Sequence, residues 1–317
     1  MTFSSNVREE LAHLQIDRSC CRIAYLAAAL RGAGTLHLTG QSHVHAELDV
    51  GSHAVARQIL VALRSEGATC GVQAYTPERL GATQRVLIVL AEDAATVAVL
   101  QQTRVIDEAG RPLLTIDPAI VQRDCCGVAA LQGAFAVGGS VTPPGKSPLL
   151  EIRTHGVDFA ELLQSCAARI DVHLRLRERP RWCEVMTRRR SVVQDMLTVM
   201  GVESAALDVA EDDVLRSARA DANRRANFDT ANLTRQVAAA RSQVAAITSL
   251  ISAGQLEHLS EHLRETAGVR LEYPDLTLSE LSERTGVARP TVAARLRRIV
   301  ELADMLAAAD QPRRLRA

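Results

Sequence analysis

The chain has no net charge, because its 37 basic and 37 acidic residues cancel. No global field therefore draws it to nucleic acid, and any contact with DNA must come from local patches. It has no stretch approaching the roughly 18 consecutive apolar residues of a membrane span. Its opening residues, MTFSSNVREELAHL, are acidic and amphipathic, unlike a signal peptide, so a cytoplasmic protein without membrane attachment is expected. Lysine is nearly missing: Lys146 stands alone against 36 arginines, a bias that a GC-rich genome produces. That lysine lies in GSVTPPGKSP, 139–148, a turn-rich loop rather than a phosphate cradle. No G-x-x-x-x-G-K, G-x-S-x-G or paired catalytic carboxylate motif occurs, so a nucleotide-driven or hydrolytic enzyme has no support. The seven cysteines include two adjacent pairs, neither with CxxC spacing. Neighbouring cysteines on a helix point in different directions, so buried reduced thiols are expected, with no metal and no cofactor.

What is present is a repeat. Residues 18–36, RSCCRIAYLAAALRGAGTL, return as residues 123–141, RDCCGVAALQGAFAVGGSV, 105 positions later. Seven of nineteen aligned positions are identical, among them Cys20/Cys125, Cys21/Cys126 and Gly34/Gly139. A unit of that size is too long for a solenoid and fits half of an intrachain pseudo-dimer. Both copies are rich in small residues (Ala27, Ala28, Ala29, Gly32; Gly133, Ala134, Ala136), so the two helices are expected to pack closely across a pseudo-two-fold axis, each ending at a glycine in the left-handed conformation. Apolar periodicity behind each copy gives α-β-β-α-β-β-α twice.

That order, with a small-residue helix ending in a glycine pair, resembles the LAGLIDADG homing-endonuclease fold over roughly residues 18–205. In active members of that family the penultimate motif position carries an acid that binds divalent metal. Here those positions are Ala33 and Gly138, which offer no side-chain oxygen to a hard cation. The resemblance therefore implies a catalytically inactive domain and no enzyme.

The other end reads TLSELSERTGVARPTVAARLRRIVEL, 277–302. Thr277 and Glu280 form a capping box, Gly286 supplies a tight turn, and Pro290 opens a second helix at its first position. Two short helices about a glycine turn are a helix-turn-helix. Ala293, Leu296, Ile299 and Val300 are expected inward. Arg289, Thr291, Ala294, Arg295 and Arg298 are expected outward with Arg297 at the flank, and Ser279 lies on the first helix. Arginine on such a helix reads guanine in the major groove or grips phosphate. A second basic stretch, 169–190, holds eight arginines against three acids. Arg175, Arg177 and Arg179 alternate with Val172, Leu174 and Leu176, which puts them on one strand face. Together with Arg188, Arg189 and Arg190 they are candidate DNA-backbone contacts.

Between these parts lies NRRANFDTANLT, 223–234, with Asp229 or Thr230 able to cap a helix over about 231–251 that Gly254 ends. Asn223, Arg224, Asn227, Thr230, Ala231, Asn232 and Leu233 match a segment of the WhiA family of bacterial cell-division and sporulation regulators, which the whole chain closely resembles. The recognition helix departs from the family's serine-lysine-serine start, having Ala288-Arg289-Pro290. The resemblance implies a transcription regulator on double-stranded promoter DNA, associated with the nucleoid and monomeric. It implies further DNA-backbone contacts at Asn223 and Arg224, and a WhiB-type iron–sulfur regulator as partner.

The fold expected is thus α+β: an N-terminal segment (1–17), LAGLIDADG-like repeats (18–105 and 122–205), a linker (206–230), an all-α helix-turn-helix domain (231–306) and a tail (307–317). Two rival functions are a metal-dependent site-specific endonuclease using acids such as Glu47 or Asp49, and a protein-docking module. Two histidine pairs, His43/His45 on a strand and His258/His262 at i, i+4, are weaker metal candidates.

Overall fold

Thr2 opens the first helix, α1 (Phe3–Ala12), through a reciprocal cap with Ser5, in a computed structural model that describes residues 2–39, 43–78 and 83–314. The first repeat then runs α2 (Ser19–Ala33), β1 (Gly34–Thr39), β2 (His43–Val50), α3 (His53–Ser65), β3 (Cys70–Tyr75), β4 (Arg85–Leu90) and α4 (Ala94–Gln102). The second runs α5 (Asp124–Gly138), β5 (Gly139–Val141), β6 (Leu150–Thr154), α6 (Val157–Ala168), β7 (Arg175–Glu178), β8 (Cys183–Thr187) and α7 (Arg190–Val199). The order is αββαββα in each. Both sheets are antiparallel and share one topology, β1-β2-β4-β3 and β5-β6-β8-β7. Local signals fix the helix starts, as where Ser52 caps α3 and the Asp93 carboxylate accepts from Thr96 N at 2.8 Å to cap α4.

The two repeats meet along α2 and α5. A Cβ placed on Gly133 would stand 2.3 Å from the Tyr25 carbonyl oxygen, and one on Gly32 would stand 2.6 Å from Val137 Cγ2. Only hydrogen fits at these points, so the small residues of the repeat set how near the backbones come. Gly34 and Gly139 are not left-handed, contrary to expectation. Their φ/ψ values of −84/146° and −82/149° are extended, and each chain leaves its helix directly into a strand. Glycine is needed there for space, since a Cβ would lie 2.3 Å from Leu30 O or Phe135 Cδ2.

A polar node locks α1, α2 and α3 together. The Tyr25 hydroxyl donates to Gln58 Oε1 at 2.7 Å, and Gln58 Nε2 donates to the Leu11 and Leu14 carbonyls at 3.0 and 2.9 Å. Burial pushes the Tyr25 phenol well above its ordinary range.

Three sequence expectations need correction. β5 lies inside the stretch read as loop, and β7 spans only Arg175–Glu178, so Val172, Leu174 and Arg179 of the expected alternation lie outside it, after a left-handed Asp171 (φ 59°). Asp229 and Thr230 cap nothing, because one helix, α8 (Glu203–Ser252), runs through the expected linker 206–230. Residues 203–228 contain no glycine or proline to stop it, and the Thr230 hydroxyl instead donates to Ala226 O at 2.8 Å. The N-terminus of α8 is capped by Glu10, whose Oε1 accepts from Ser204 N at 2.8 Å. Gly254 (φ 66°) follows its end as expected.

The chain divides into two compact units, Met1–Arg216 and Ser217–Ala317. In the second, α9 (Glu261–Glu272), α10 (Leu278–Thr285) and α11 (Arg289–Arg314) pack with the end of α8. Ile247, Leu250, Ala267, Leu281, Val292, Leu296 and Ile299 form its core. α11 runs on through the expected tail to Arg314, and residues 315–317 lie outside the described residues.

Three expectations follow for stability. Gly133→Ala should destabilise the first unit by about 3 kcal/mol through overpacking against Tyr25. Gly268→Ala, in mid-α9 with open space around it, should stabilise the second unit by about 0.5–1 kcal/mol; urea titration checks both. Tyr25→Phe should cost about 1–3 kcal/mol at neutral pH, because Gln58 Oε1 loses its donor. The native chain should keep this stabilisation below pH ~10, the unfolded tyrosine value, and lose it as pH rises through the raised folded value. Tyr25→Phe should remove that alkaline loss, which thermal melts across pH would show.

Candidate nucleic-acid interface

The helix-turn-helix forms as its sequence signals require. Glu280 N donates to Thr277 Oγ1 at 3.3 Å while Thr277 N donates to Glu280 Oε2 at 2.7 Å, closing the capping box. That bond holds the Glu280 carboxyl below its usual range. Gly286 turns the chain at φ 65°, which a side chain would strain. α11 begins at Arg289, so Pro290 is its second residue rather than its first, where its missing N–H still costs no helical bond.

The face of α11 differs from expectation at one arginine. Val292, Leu296 and Ile299 are buried, and Ala293 and Val300 are half-buried. Arg289, Pro290, Thr291, Ala294, Arg297 and Arg298 are exposed, as is Ser279 on α10. Arg295 is half-buried and turns toward α9, its Nη1 donating to Thr266 Oγ1 at 3.3 Å. Three residues past Val292 and one before Leu296, it sits at the border of the buried stripe, and Arg297 takes its place outside. Arg298 shares its charge with Glu301, 3.2 Å away one turn on. Beneath this surface Arg270 is buried, with Nη1 donating to Leu276 O at 2.7 Å, and Arg284 stacks 3.7 Å over the Tyr273 ring. Neither residue has a periodicity or spacing that singles it out in the sequence.

The arginines of the second sheet are less available than the alternation suggests. Strand register puts Arg175 and Arg177 on the same outer face as Arg153, Glu151 and Glu184. Glu184 is 4% exposed and lies 3.7 Å from Arg177 Nε and 3.3 Å from Arg179 Nε. Arg153 is 2.8 Å from Glu151 and over Trp182. Arg190 is enclosed by Asp212 and Asp213, at 2.5 and 3.4 Å, and joins α7 to α8. Arg175, Arg188 and Arg189 are exposed and have no ion-pair partner among the described residues. On α8, Asn223 and Arg224 are exposed, and Arg224 is paired with Asp221 one turn before it.

The expected acid positions, Ala33 and Gly138, are the last residues of α2 and α5. A cation stands there instead: Arg8 of α1 donates from Nη2 to Gly139 O. The rival ligands are engaged elsewhere. Asp49 accepts from Arg85 Nε at 2.8 Å and from the Tyr75 hydroxyl at 2.9 Å, while Glu47 lies 2.9 Å from His45 Nε2 and 3.5 Å from His37 Nε2. The side chain of His43 falls outside the described residues. His258 and His262 do not share a helix, because Leu259 and Ser260 are extended between a 3-10 turn and α9. The cysteine pairs are brought together: the sulfurs of Cys20, Cys21, Cys125 and Cys126 all lie within 4.8 Å of one another. No helix among the described residues is long and apolar enough to cross a membrane.

Three domain models match this chain in order: the WhiA N-terminal LAGLIDADG-like domain over residues 19–106, the WhiA LAGLIDADG-like domain over 128–219 and the WhiA C-terminal HTH domain over 222–303. The chain is 34% identical over 311 residues to a probable cell division protein WhiA of Nocardioides sp., covering 96% of this chain and 93% of the relative. It is 35% identical over 312 residues to the one of Streptomyces griseus subsp. griseus, covering 96% and 92%. Its fold is similar to the crystal structure of full-length WhiA from Thermatoga maritima, with a TM-score of 0.57 and 22% identity over 96% of this chain and 99% of that one. With all three domains matched and relatives over 30% identical along nearly its whole length, the chain belongs to the WhiA family.

Proposed function

We propose that the chain is a sequence-specific transcription regulator that binds promoter DNA of cell-division, chromosome-segregation or sporulation genes, as a monomer at the nucleoid. The observation that carries this reading is the exposed face of α11. Thr291, Ala294, Arg297 and Arg298 project from a helix set against a left-handed glycine turn, with Arg289 at its positive end. Arg297, expected at the flank, is assigned the base-reading or phosphate role in place of Arg295, which turns toward α9. Arg289 and Arg298 flank it, and Ser279 lies at the start of α10, where helix-turn-helix proteins meet the backbone.

The LAGLIDADG-like domain does not cleave in this reading. Its motif ends carry Ala33 and Gly138, and Arg8 occupies the end of α5 with a guanidinium, which repels the cations that cleavage needs. Arg175, Arg188 and Arg189 leave it able to add phosphate contacts, and Asn223 and Arg224 on α8 do the same for the second unit. Arg177, Arg179 and Arg190 neutralise neighbouring acids instead. A WhiB-type iron–sulfur regulator is the protein partner the family likeness implies.

The deciding experiment incubates the full chain with fragmented genomic DNA of its host, with and without magnesium, and recovers bound and cut fragments. Enrichment of one shared motif without cut ends is expected; magnesium-dependent ends would replace the regulator with a nuclease, and no enrichment would favour protein docking. On the enriched motif, Arg297→Ala with Arg298→Ala should weaken binding roughly 10-fold or more and lower the log–log salt slope by about 1–2. Arg295→Ala should leave that slope unchanged and cost about 1 kcal/mol of stability through its bond to Thr266; fluorescence anisotropy over a salt series separates the two.

A further inference from the structure

The four cysteines at the start of α2 and α5 form a cluster that the proposed function does not use. Cys20 and Cys21 are the second and third residues of α2, and Cys125 and Cys126 hold the same places in α5. Within each pair the sulfurs are 4.0 Å apart, and all four are within 4.8 Å of one another. A square with sides of 4.0 Å would need diagonals of about 5.7 Å, so the four sulfurs stand at the corners of a tetrahedron. A tetrahedral zinc thiolate site, with Zn–S of about 2.3 Å, has sulfurs about 3.8 Å apart. Small movements of thiol rotamers are enough to reach it.

Charge supports the same chemistry. Four thiolates around one Zn²⁺ carry a net charge of −2. Arg123 reaches across the pseudo-two-fold to Cys20, with Nη1 at 4.0 Å from Sγ, and Arg18 stands beside Cys125 in the mirrored arrangement. Neither arginine is drawn into capping its own helix, although each occupies the N-cap position. The positive ends of two helices point at the same sulfurs. Two disulfides would need only two close pairs and would gain nothing from guanidinium groups.

We propose that Cys20, Cys21, Cys125 and Cys126 bind a single Zn²⁺ in a closed tetrahedral site that fastens the two repeats together. Binding exchanges four thiol protons for the metal, Zn²⁺ + 4 RSH giving Zn(SR)₄²⁻ + 4 H⁺, with no oxidant or reductant. The site uses all four positions and leaves none open to water, which makes it structural rather than catalytic. An iron–sulfur cluster fits less well, because its bridging sulfides hold the cysteine ligands farther apart than 4.8 Å.

The test is elemental analysis of the full chain, purified under reductant and passed over a chelating resin, with assay of acid-labile sulfide. About one zinc per chain is expected. Cys20→Ser with Cys125→Ser should lose at least about nine tenths of it, whereas Cys166→Ser with Cys183→Ser should keep it. Replacement by Co²⁺ in the native chain should give the intense visible bands of tetrahedral cobalt thiolate, a readout that needs no variant to fold. Stripping the metal should lower the Tm by roughly 5 °C or more. Seven freely titrating thiols and no metal, disulfides linking the pairs, or iron with labile sulfide would each overturn the proposal.

Discussion

The closeness of α2 and α5 is the constraint on which the first unit depends. Gly133 lies against the Tyr25 carbonyl and Gly32 against Val137, so the two backbones approach to a distance that no larger residue permits. Interiors packed at crystal-like density pass such a constraint on to their neighbours. Tyr25, whose carbonyl Gly133 meets, also donates from its hydroxyl to Gln58, whose amide ties down the carbonyls at the end of α1. The same closeness brings the first turns of both helices together, and with them four thiols separated by 105 residues of chain.

At the opposite ends of the same two helices the chemistry is inverted. Where a cleaving relative of this fold would gather acids, alanine and glycine close the helices and Arg8 donates to a carbonyl just beyond. Burial lowers the affinity of the Arg8 guanidinium for its proton from the ordinary arginine value, a direction expected of a cation withdrawn from water and one that marks how enclosed this position is. One helix pair thus has a sulfur-rich end and a cationic end, and neither suits a hard divalent ion.

The arginines show why charge read along a chain overstates charge offered to a partner. Period-two alternation correctly placed Arg175 and Arg177 outward, yet cross-strand pairing set Arg177 opposite Glu184, and Arg179 joined them. A carboxylate almost withdrawn from water needs its cations, so those side chains belong to the sheet. Arg190 is held in the same way by Asp212, 22 residues ahead, through helix packing that no local pattern encodes. Arg295 and Arg297 differ by two positions, about 200° around a helix, and that rotation separates a bond to α9 from an exposed charge.

Much was legible without coordinates. The repeat, the αββαββα order, the capping box, the glycine turn and the arginine-bearing second helix all follow from features that act over a few residues: side-chain periodicity, hydrogen bonds to adjacent N–H groups and the steric freedom of glycine. The sequence determined these by itself because each is complete within one or two turns of chain. Tertiary structure alone decided that the glycines ending α2 and α5 are extended and which arginines face solvent. It also decided that two unremarkable Cys-Cys pairs converge, since thiols in a first helical turn lean toward the helix N-terminus and their meeting depends on a second helix brought alongside from 105 residues away.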